Sequence, residues 1–196
     1  MLKKAYIEIT NRCNLRCSFC PGTKRAPRTM TPAEFDLVLE RLTGQVEYVY
    51  LHVMGEPLSH PQLAELLSLA AARERKVCIT TNGTLLARQA ETLLAAPTLH
   101  KVSVSLHSFE GNDGAQERGT QFCYGLRDQL GVLADGTAVP CCLDHEGDIA
   151  LGNLFTQPLS EILQSERACA LREGFSRRRP SEELCRRCGF AARFNK

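Results

Sequence analysis

The sequence predicts an α/β fold of about four parallel strands with helical crossovers, followed by a small cysteine-rich domain built on a β-hairpin and a helix. Three observations carry this. Short β-rich runs alternate with helix-period runs from Tyr6 to Leu106, the pattern of a parallel sheet with right-handed crossovers. Asp135-Gly136 sits between two short apolar runs, a hairpin signal. The ten cysteines fall in clusters, which suits metal better than a disulfide framework.

Tyr6 to Thr10 alternates apolar and polar residues and reads as the first strand. Cys13-Asn14-Leu15-Arg16-Cys17-Ser18-Phe19-Cys20 follows at once. In Met30-Thr31-Pro32-Ala33-Glu34-Phe35, Thr31 is an N-cap, Pro32 fits the first turn and Glu34 completes a capping box. Met30 and Phe35 supply a hydrophobic staple, and this helix runs to about Leu42. Tyr48 to Val53 is the second strand and ends in Met54-Gly55-Glu56-Pro57. Pro61 opens a second helix to about Arg75, with Leu63, Leu66, Leu67 and Ala70 on one face. Lys76 to Thr81 is the third strand, with Cys78 as a core residue and Asn82-Gly83 as the closing turn. A third helix spans about Leu86 to Ala95. Lys101 to Leu106 is the fourth strand, with Val102, Val104 and Leu106 on one face and Ser103 and Ser105 on the other.

Sixteen residues then separate Leu106 from Cys123. A βαβ unit needs roughly thirty or more, so two further units do not fit. The sheet is expected to end at the fourth strand, with its open edge covered by the C-terminal module or a second chain. The chain has 196 residues, 43% of them hydrophobic, and a net charge of +2. That is one domain or one with a small appendage, and nothing in the balance calls for nucleic acid or a membrane surface. The N-terminus lacks an apolar run of signal-peptide length, and no stretch is long enough to span a membrane. A reducing, cytoplasmic setting is expected.

Three thiols in eight residues can each serve one corner of a single metal cluster. Cubane clusters are usually held by four cysteines, so three would leave one iron open to a ligand. The alternatives are a partial zinc site or three unrelated cysteines, although zinc sites more often show CxxC pairs. The spacing CxxxCxxC, with Phe19 before the last cysteine, resembles the signature of the radical S-adenosylmethionine (SAM) enzymes. In that family the open iron chelates SAM, and reductive cleavage yields methionine and a 5′-deoxyadenosyl radical that abstracts hydrogen from a substrate. Met54-Gly55-Glu56-Pro57 looks like the family's Gly-Gly-Glu motif, with Met54 in place of the first glycine. Gly55 lets backbone approach a ligand, and Glu56 is expected to accept from the SAM ammonium. The resemblance also places Asn82 near SAM and Ser105 near its ribose; the alternatives are a plain turn and a serine facing the inside of a polar barrel. It implies a shortened partial (βα) TIM-like barrel, where the family normally has six βα units.

Cys123 precedes the hairpin runs Gln129 to Leu133 and Thr137 to Val139, and Cys141-Cys142 close them. Gly136 followed after four residues by Cys141 resembles the opening of a SPASM domain, the auxiliary-cluster module of many radical SAM proteins. Leu151-Gly152-Asn153-Leu154, a helix from about Pro158 to Glu173, and Cys185-Arg186-Arg187-Cys188 fit the same module. The implied ligands of an auxiliary [4Fe–4S] cluster are Cys123, Cys141, Cys185 and Cys188, with Cys142 the alternative to Cys141. A structural zinc ribbon is the competing reading. Cys169 reads as a packing residue, and Asp144-His145-Glu146 as a solvated loop. The basic runs Arg177 to Arg179 and Arg186-Arg187 read as surface or as a contact for an acidic peptide. No catalytic side chain is assigned. The expected division is a radical SAM core over 1–108, a linker over 109–121 and a SPASM domain over 122–196. The resemblance implies modification of a peptide or protein substrate, with electrons from a donor such as flavodoxin or ferredoxin. The rival classes are a non-catalytic iron–sulfur carrier or scaffold, and a zinc-stabilised binding module.

Overall fold

Alternating burial along the first strands sets the architecture. In β1 (Lys4–Ile7) and β2 (Tyr48–Leu51) every second residue, Ala5, Ile7, Val49 and Leu51, is fully buried. The residues between them, Lys4, Tyr6, Tyr48 and Tyr50, are only half-buried. One face of the sheet is therefore aliphatic and fit to take helices, and the other is aromatic and polar. The computed structural model describes residues 2–105 and 123–189.

The elements continue as α1 (Pro32–Arg41), α2 (Leu63–Ala72), β3 (Lys76–Thr81), α3 (Leu86–Ala95) and β4 (Leu99–Val104) interleaved with those strands. The C-terminal part adds β5 (Gln129–Val132), β6 (Thr137–Val139), β7 (Gly152–Asn153), α4 (Leu159–Gln164), α5 (Glu166–Ser176) and α6 (Glu183–Arg186). The capping box of α1 is formed: the Glu34 N–H donates to Thr31 Oγ1 at 3.3 Å, and the Thr31 N–H donates to Glu34 Oε2 at 2.8 Å. Helix α1 buries Phe35, Val38 and Leu39, and α2 buries Leu63, Leu66, Leu67 and Ala70. Among the described residues no helix is long and apolar enough to cross a membrane.

All seven strands form one sheet in the order β4-β3-β2-β1-β5-β6-β7. Neighbours from β4 to β5 pair in parallel, and β6 and β7 pair antiparallel. The expected covering of the β4 edge by the C-terminal module is thus corrected. The hairpin instead extends the sheet from β1, at the opposite end, with Lys4 opposite Gln129 and Ile7 opposite Val132. The physical reason is matched alternation: Leu130 and Val132, both fully buried, lie beside Ala5 and Ile7 on the aliphatic face. Gly131 lies beside Tyr6, where a Cβ would meet Val139 Cγ2 at 2.6 Å, so glycine lets the hairpin close. Among the described residues no strand pairs with the outer side of β4, and Val104 is 43% exposed.

Several boundaries also differ; the second strand, for one, ends at Leu51 rather than Val53. The first strand is Lys4–Ile7, because Thr10 leaves the sheet to bridge Thr29. The fourth begins at Leu99, and Leu106 lies outside the described residues. The helix expected from Pro158 to Glu173 is two helices. Ser165 breaks it with extended backbone (φ −57°, ψ 148°), and its side chain accepts from the Ala168 N–H to cap α5.

His60 is buried, its Nε2 donating to Met30 O at 2.8 Å while Nδ1 accepts from the Gln62 N–H at 3.1 Å. That pattern needs the neutral ring, and burial lowers its pKa. The unfolded chain takes up the proton near its ordinary value of about 6.5. The contribution is therefore complete above that pH and is lost as pH falls through the lower, folded value. His60→Gln should lower the melting temperature at pH 7.5 but show a smaller further drop at pH 5 than the wild type. An equal drop in thermal melts of the two proteins would place the acid sensitivity elsewhere.

Candidate metal centres

The cysteine loop leaves the carboxyl end of β1, and its base is zipped shut. Thr10 bridges Thr29, the Asn11 N–H donates to Arg28 O at 3.1 Å and the Met30 N–H to Ile9 O at 2.8 Å. The Asn11 side chain clamps the same stem, donating to Ala26 O and accepting from the Arg28 N–H. Inside the loop the Cys20 N–H donates to Cys17 O at 3.1 Å. The N–H groups of Leu15 and Gly22 point at the sulfurs of Cys13 and Cys20, at 3.5 and 3.4 Å.

Cys13, Cys17 and Cys20 line one cavity of about 410 Å³ with Phe19, Met54, Gly55, Glu56, Asn82 and Ser105. Of the residues the sequence nominated for SAM, only Pro57 stands outside this lining; it is buried at the start of a short 3₁₀ turn. Gly55 has φ +77°, and a Cβ there would meet Arg12 O at 2.7 Å and overlap Thr10 O. The Glu56 N–H donates to that same Arg12 O at 2.9 Å, so the loop after β2 crosses directly over the cysteine stem. The Glu56 carboxylate is buried and already accepts from the Leu58 N–H, the Thr81 hydroxyl and the Asn82 N–H, at 2.9, 2.7 and 2.7 Å. A carboxylate offers about four acceptor sites. Glu56 therefore first ties the end of β2 to the end of β3. Asn82 reaches Asn14 Oδ1 at 3.0 Å and Cys13 Sγ at 3.9 Å.

A second cavity, about 230 Å³, is lined by Cys123, Cys141, Cys142, Cys185 and Cys188. Burial raises the pKa values of Cys123, Cys142 and Cys185, that of Cys185 to about 12, with neighbouring Cys123 and Cys188 adding to the last. Cys141 is likewise raised by burial and by its neighbours Cys142, Cys123 and Cys185. For Cys123, Cys141, Cys142 and Cys185 the raised values favour the thiol, so loading a metal cluster there would release protons. Cys141, Cys185 and Cys188 also share an adjoining hollow with Asp144 that neither Cys142 nor Cys123 lines. Among the described residues no three Cys, His, Asp or Glu side chains converge as a single metal ion requires.

The sequence reading passed over several residues. His52, just beyond β2, lines both cavities, and its ring lies 5.8 Å from that of Tyr6. Burial lowers the His52 pKa. Glu8 is buried and paired with Arg25; the signal available was an acidic residue between two isoleucines in a strand-like run. Two expectations are corrected. Asp144-His145-Glu146 is not a solvated loop: Asp144 is 1% exposed and accepts from the N–H groups of Asp148 and Ile149, both at 2.9 Å. Cys169 is exposed rather than packed, and accepts from Arg172 at 3.2 Å. In the basic runs, Arg177 and Arg187 pair with Glu173 and Glu183 one helical turn away.

A family model described as the radical SAM superfamily matches residues 7–118, and a SPASM model described as an iron-sulfur cluster-binding domain matches residues 123–189. GTP 3′,8-cyclase of Chlorobaculum tepidum is 36% identical over 108 residues, covering 53% of this chain and 32% of that protein. The chain thus spans about a third of that relative's length. A crystal structure of BtrN in an open conformation superposes with a TM-score of 0.80 at 22% identity, covering 96% of this chain and 92% of that one. SuiB of Streptococcus suis, bound to precursor peptide SuiA, gives 0.66 at 13% identity, covering 97% and 70%. These two likenesses are of fold.

Gly55→Ala tests the crossing of the two loops. Forcing a left-handed backbone on a residue with a Cβ costs about 1–3 kcal/mol, before any clash with Arg12 O. Urea unfolding should show a loss of at least that size. Unchanged stability would mean the crossing relaxes freely.

Proposed function

This chain belongs to the radical SAM superfamily and carries a C-terminal SPASM region, and from that premise we propose that it reductively cleaves SAM to modify a peptide or protein. The observation that carries the reading is the meeting of Cys13, Cys17 and Cys20 with Gly55, Glu56, Asn82 and Ser105 around one cavity. Its volume, about 410 Å³, falls in the usual range of about 300–1,000 Å³ for small-molecule sites. The donor set fits a [4Fe–4S] cluster with three protein ligands, and the second cavity offers four thiols in Cys123, Cys141, Cys185 and Cys188 for an auxiliary cluster.

Cys13, Cys17 and Cys20 would hold the first cluster, which with SAM would supply radical hydrogen-abstraction chemistry. The chain's own residues position and exclude. The N–H groups of Leu15 and Gly22 hold the Cys13 and Cys20 sulfurs in place, and the Gly55 backbone leaves room beside the cysteine stem. Glu56 holds the strand ends that frame the cavity, with one acceptor site left for a ligand ammonium. Tyr6 and His52 wall the second cavity, and His52 also lines the first.

The proposed division remains a core over 1–108, a linker over 109–121 and an auxiliary-cluster domain over 122–196, although both parts share one sheet. A peptide substrate is supported by the likeness to SuiB, solved with its precursor peptide. The name of the cyclase relative points to a nucleotide instead, through a match over 53% of this chain. An external one-electron donor such as flavodoxin or ferredoxin and a cytoplasmic setting complete the reading.

Anaerobic reconstitution should give about eight irons per chain, four for each cubane, and 5′-deoxyadenosine on addition of SAM and reductant. Replacing Cys13, Cys17 and Cys20 by Ala should halve the iron and abolish both 5′-deoxyadenosine and the SAM-induced change in the EPR spectrum. Replacing Cys185 and Cys188 by Ala should halve the iron yet keep SAM-induced EPR changes. Two clusters without 5′-deoxyadenosine would favour an electron carrier or scaffold. Stoichiometric zinc with little iron would favour a binding module.

A further inference from the structure

We propose that Glu8 and Arg25 are positioning residues that couple the two cavities, so that a ligand in the three-cysteine cavity tightens the loop beside the C-terminal thiols. The proposal rests on the reading that the first cavity takes SAM. The Glu8 side chain is fully buried and that of Arg25 only 16% exposed. Nη2 of Arg25 donates to both Glu8 oxygens, at 2.8 and 2.7 Å. The remaining acceptor capacity goes to two distant backbones. Glu8 Oε2 accepts from the N–H of Met54, in the wall of the first cavity, and Oε1 from the N–H of Ala134, in the turn between β5 and β6, both at 3.2 Å. Nε of Arg25 donates to His145 O at 2.7 Å, and the neighbouring Lys24 N–H donates to the Glu146 carboxylate at 3.2 Å.

His145 and Glu146 belong to the turn that Asp144 closes through the N–H groups of Asp148 and Ile149. Asp144 also lines the hollow shared by Cys141, Cys185 and Cys188. Hydrogen bonds therefore lead from Met54 through Glu8 and Arg25 to the turn beside the second set of thiols. A buried carboxylate cannot exchange these donors for water without a large cost. A shift of Met54 when the first cavity fills must be taken up by Arg25 or Ala134. Coupling of this kind is reciprocal between the two sites. His52, which lines both cavities, offers a separate route, and the test distinguishes them.

The experiment uses the reconstituted full chain, with backbone hydrogen exchange followed with and without SAM, and SAM affinity measured alongside. In the wild type, SAM should slow exchange at Asp148 and Ile149 by about fivefold or more, the low end of usual coupling. Arg25→Lys keeps the charge and a single nitrogen for Glu8 but loses the second nitrogen that reaches His145 O at the same time. In this variant the slowing should vanish and the SAM Kd should rise by a similar factor, with iron content unchanged. Glu8→Gln should behave alike, and if that variant fails to fold, Arg25→Lys decides. Slowing that persists in Arg25→Lys, iron lost from that variant, or no slowing in a wild type that binds SAM overturns the coupling alone. A wild type that does not bind SAM overturns the functional reading and this inference with it.

Discussion

A carboxylate removed from water has to gather donors, and Glu8 gathers them from three parts of the chain. It sits at the end of β1, where one step further the chain turns away into the cysteine loop. Arg25 comes from the returning arm of that loop, Met54 from the end of β2, and Ala134 from the C-terminal hairpin. Removing one partner of such a buried pair typically costs about 3–5 kcal/mol, because the other charge is left stranded. The pair is therefore weak as a source of net stability but strong as a constraint on geometry. Any arrangement that moved the cysteine loop, the Met54 loop or the hairpin independently would strand a charge.

The second constraint is the sharing of β1. Its two edges take β2 on one side and β5 on the other. The first cavity opens beyond the ends of β1, β2 and β3, whereas the second lies over the face of β1 and β5, where Tyr6 and Gln129 point. His52 lines both cavities and so stands between two sets of thiols that lie more than a hundred residues apart in sequence. The aliphatic residues Ala5, Ile7, Leu130 and Val132 hold this arrangement from the other face.

Local chemistry made much of this legible. The capping box at Thr31, the run Lys76–Thr81 and the helix Leu86–Ala95 are where short-range patterns place them. The cysteine sets and Gly55 also carried their own signal, since spacing and glycine conformation are local properties. What stayed hidden depends on partners far away in the chain. Gln129–Val132 reads as half of a hairpin, and nothing within four residues tells that its other edge pairs with Lys4–Ile7. Asp144 reads as solvated until the chain folds Asp148 and Ile149 back onto it. The same holds for Glu8, whose donors lie 17, 46 and 126 positions away.

Glu56 shows how a motif read as ligand contact acquires a prior structural duty. Its neighbour Gly55 must lie against the cysteine stem, which fixes the direction in which the next side chain leaves the backbone. That direction leads inward, to Thr81 and Asn82 at the end of β3. Once buried there, the carboxylate is satisfied by protein donors, and these hold Asn82 where its side chain can reach Asn14 and Cys13. The glycine, the glutamate and the asparagine thus act in series. Close backbone approach places the carboxylate, the carboxylate places the turn after β3, and that turn braces the first cysteine of the loop. A short Gly-Glu-Pro sequence, ordinary as a turn by itself, becomes the link by which two strand ends set the shape of a metal-binding loop.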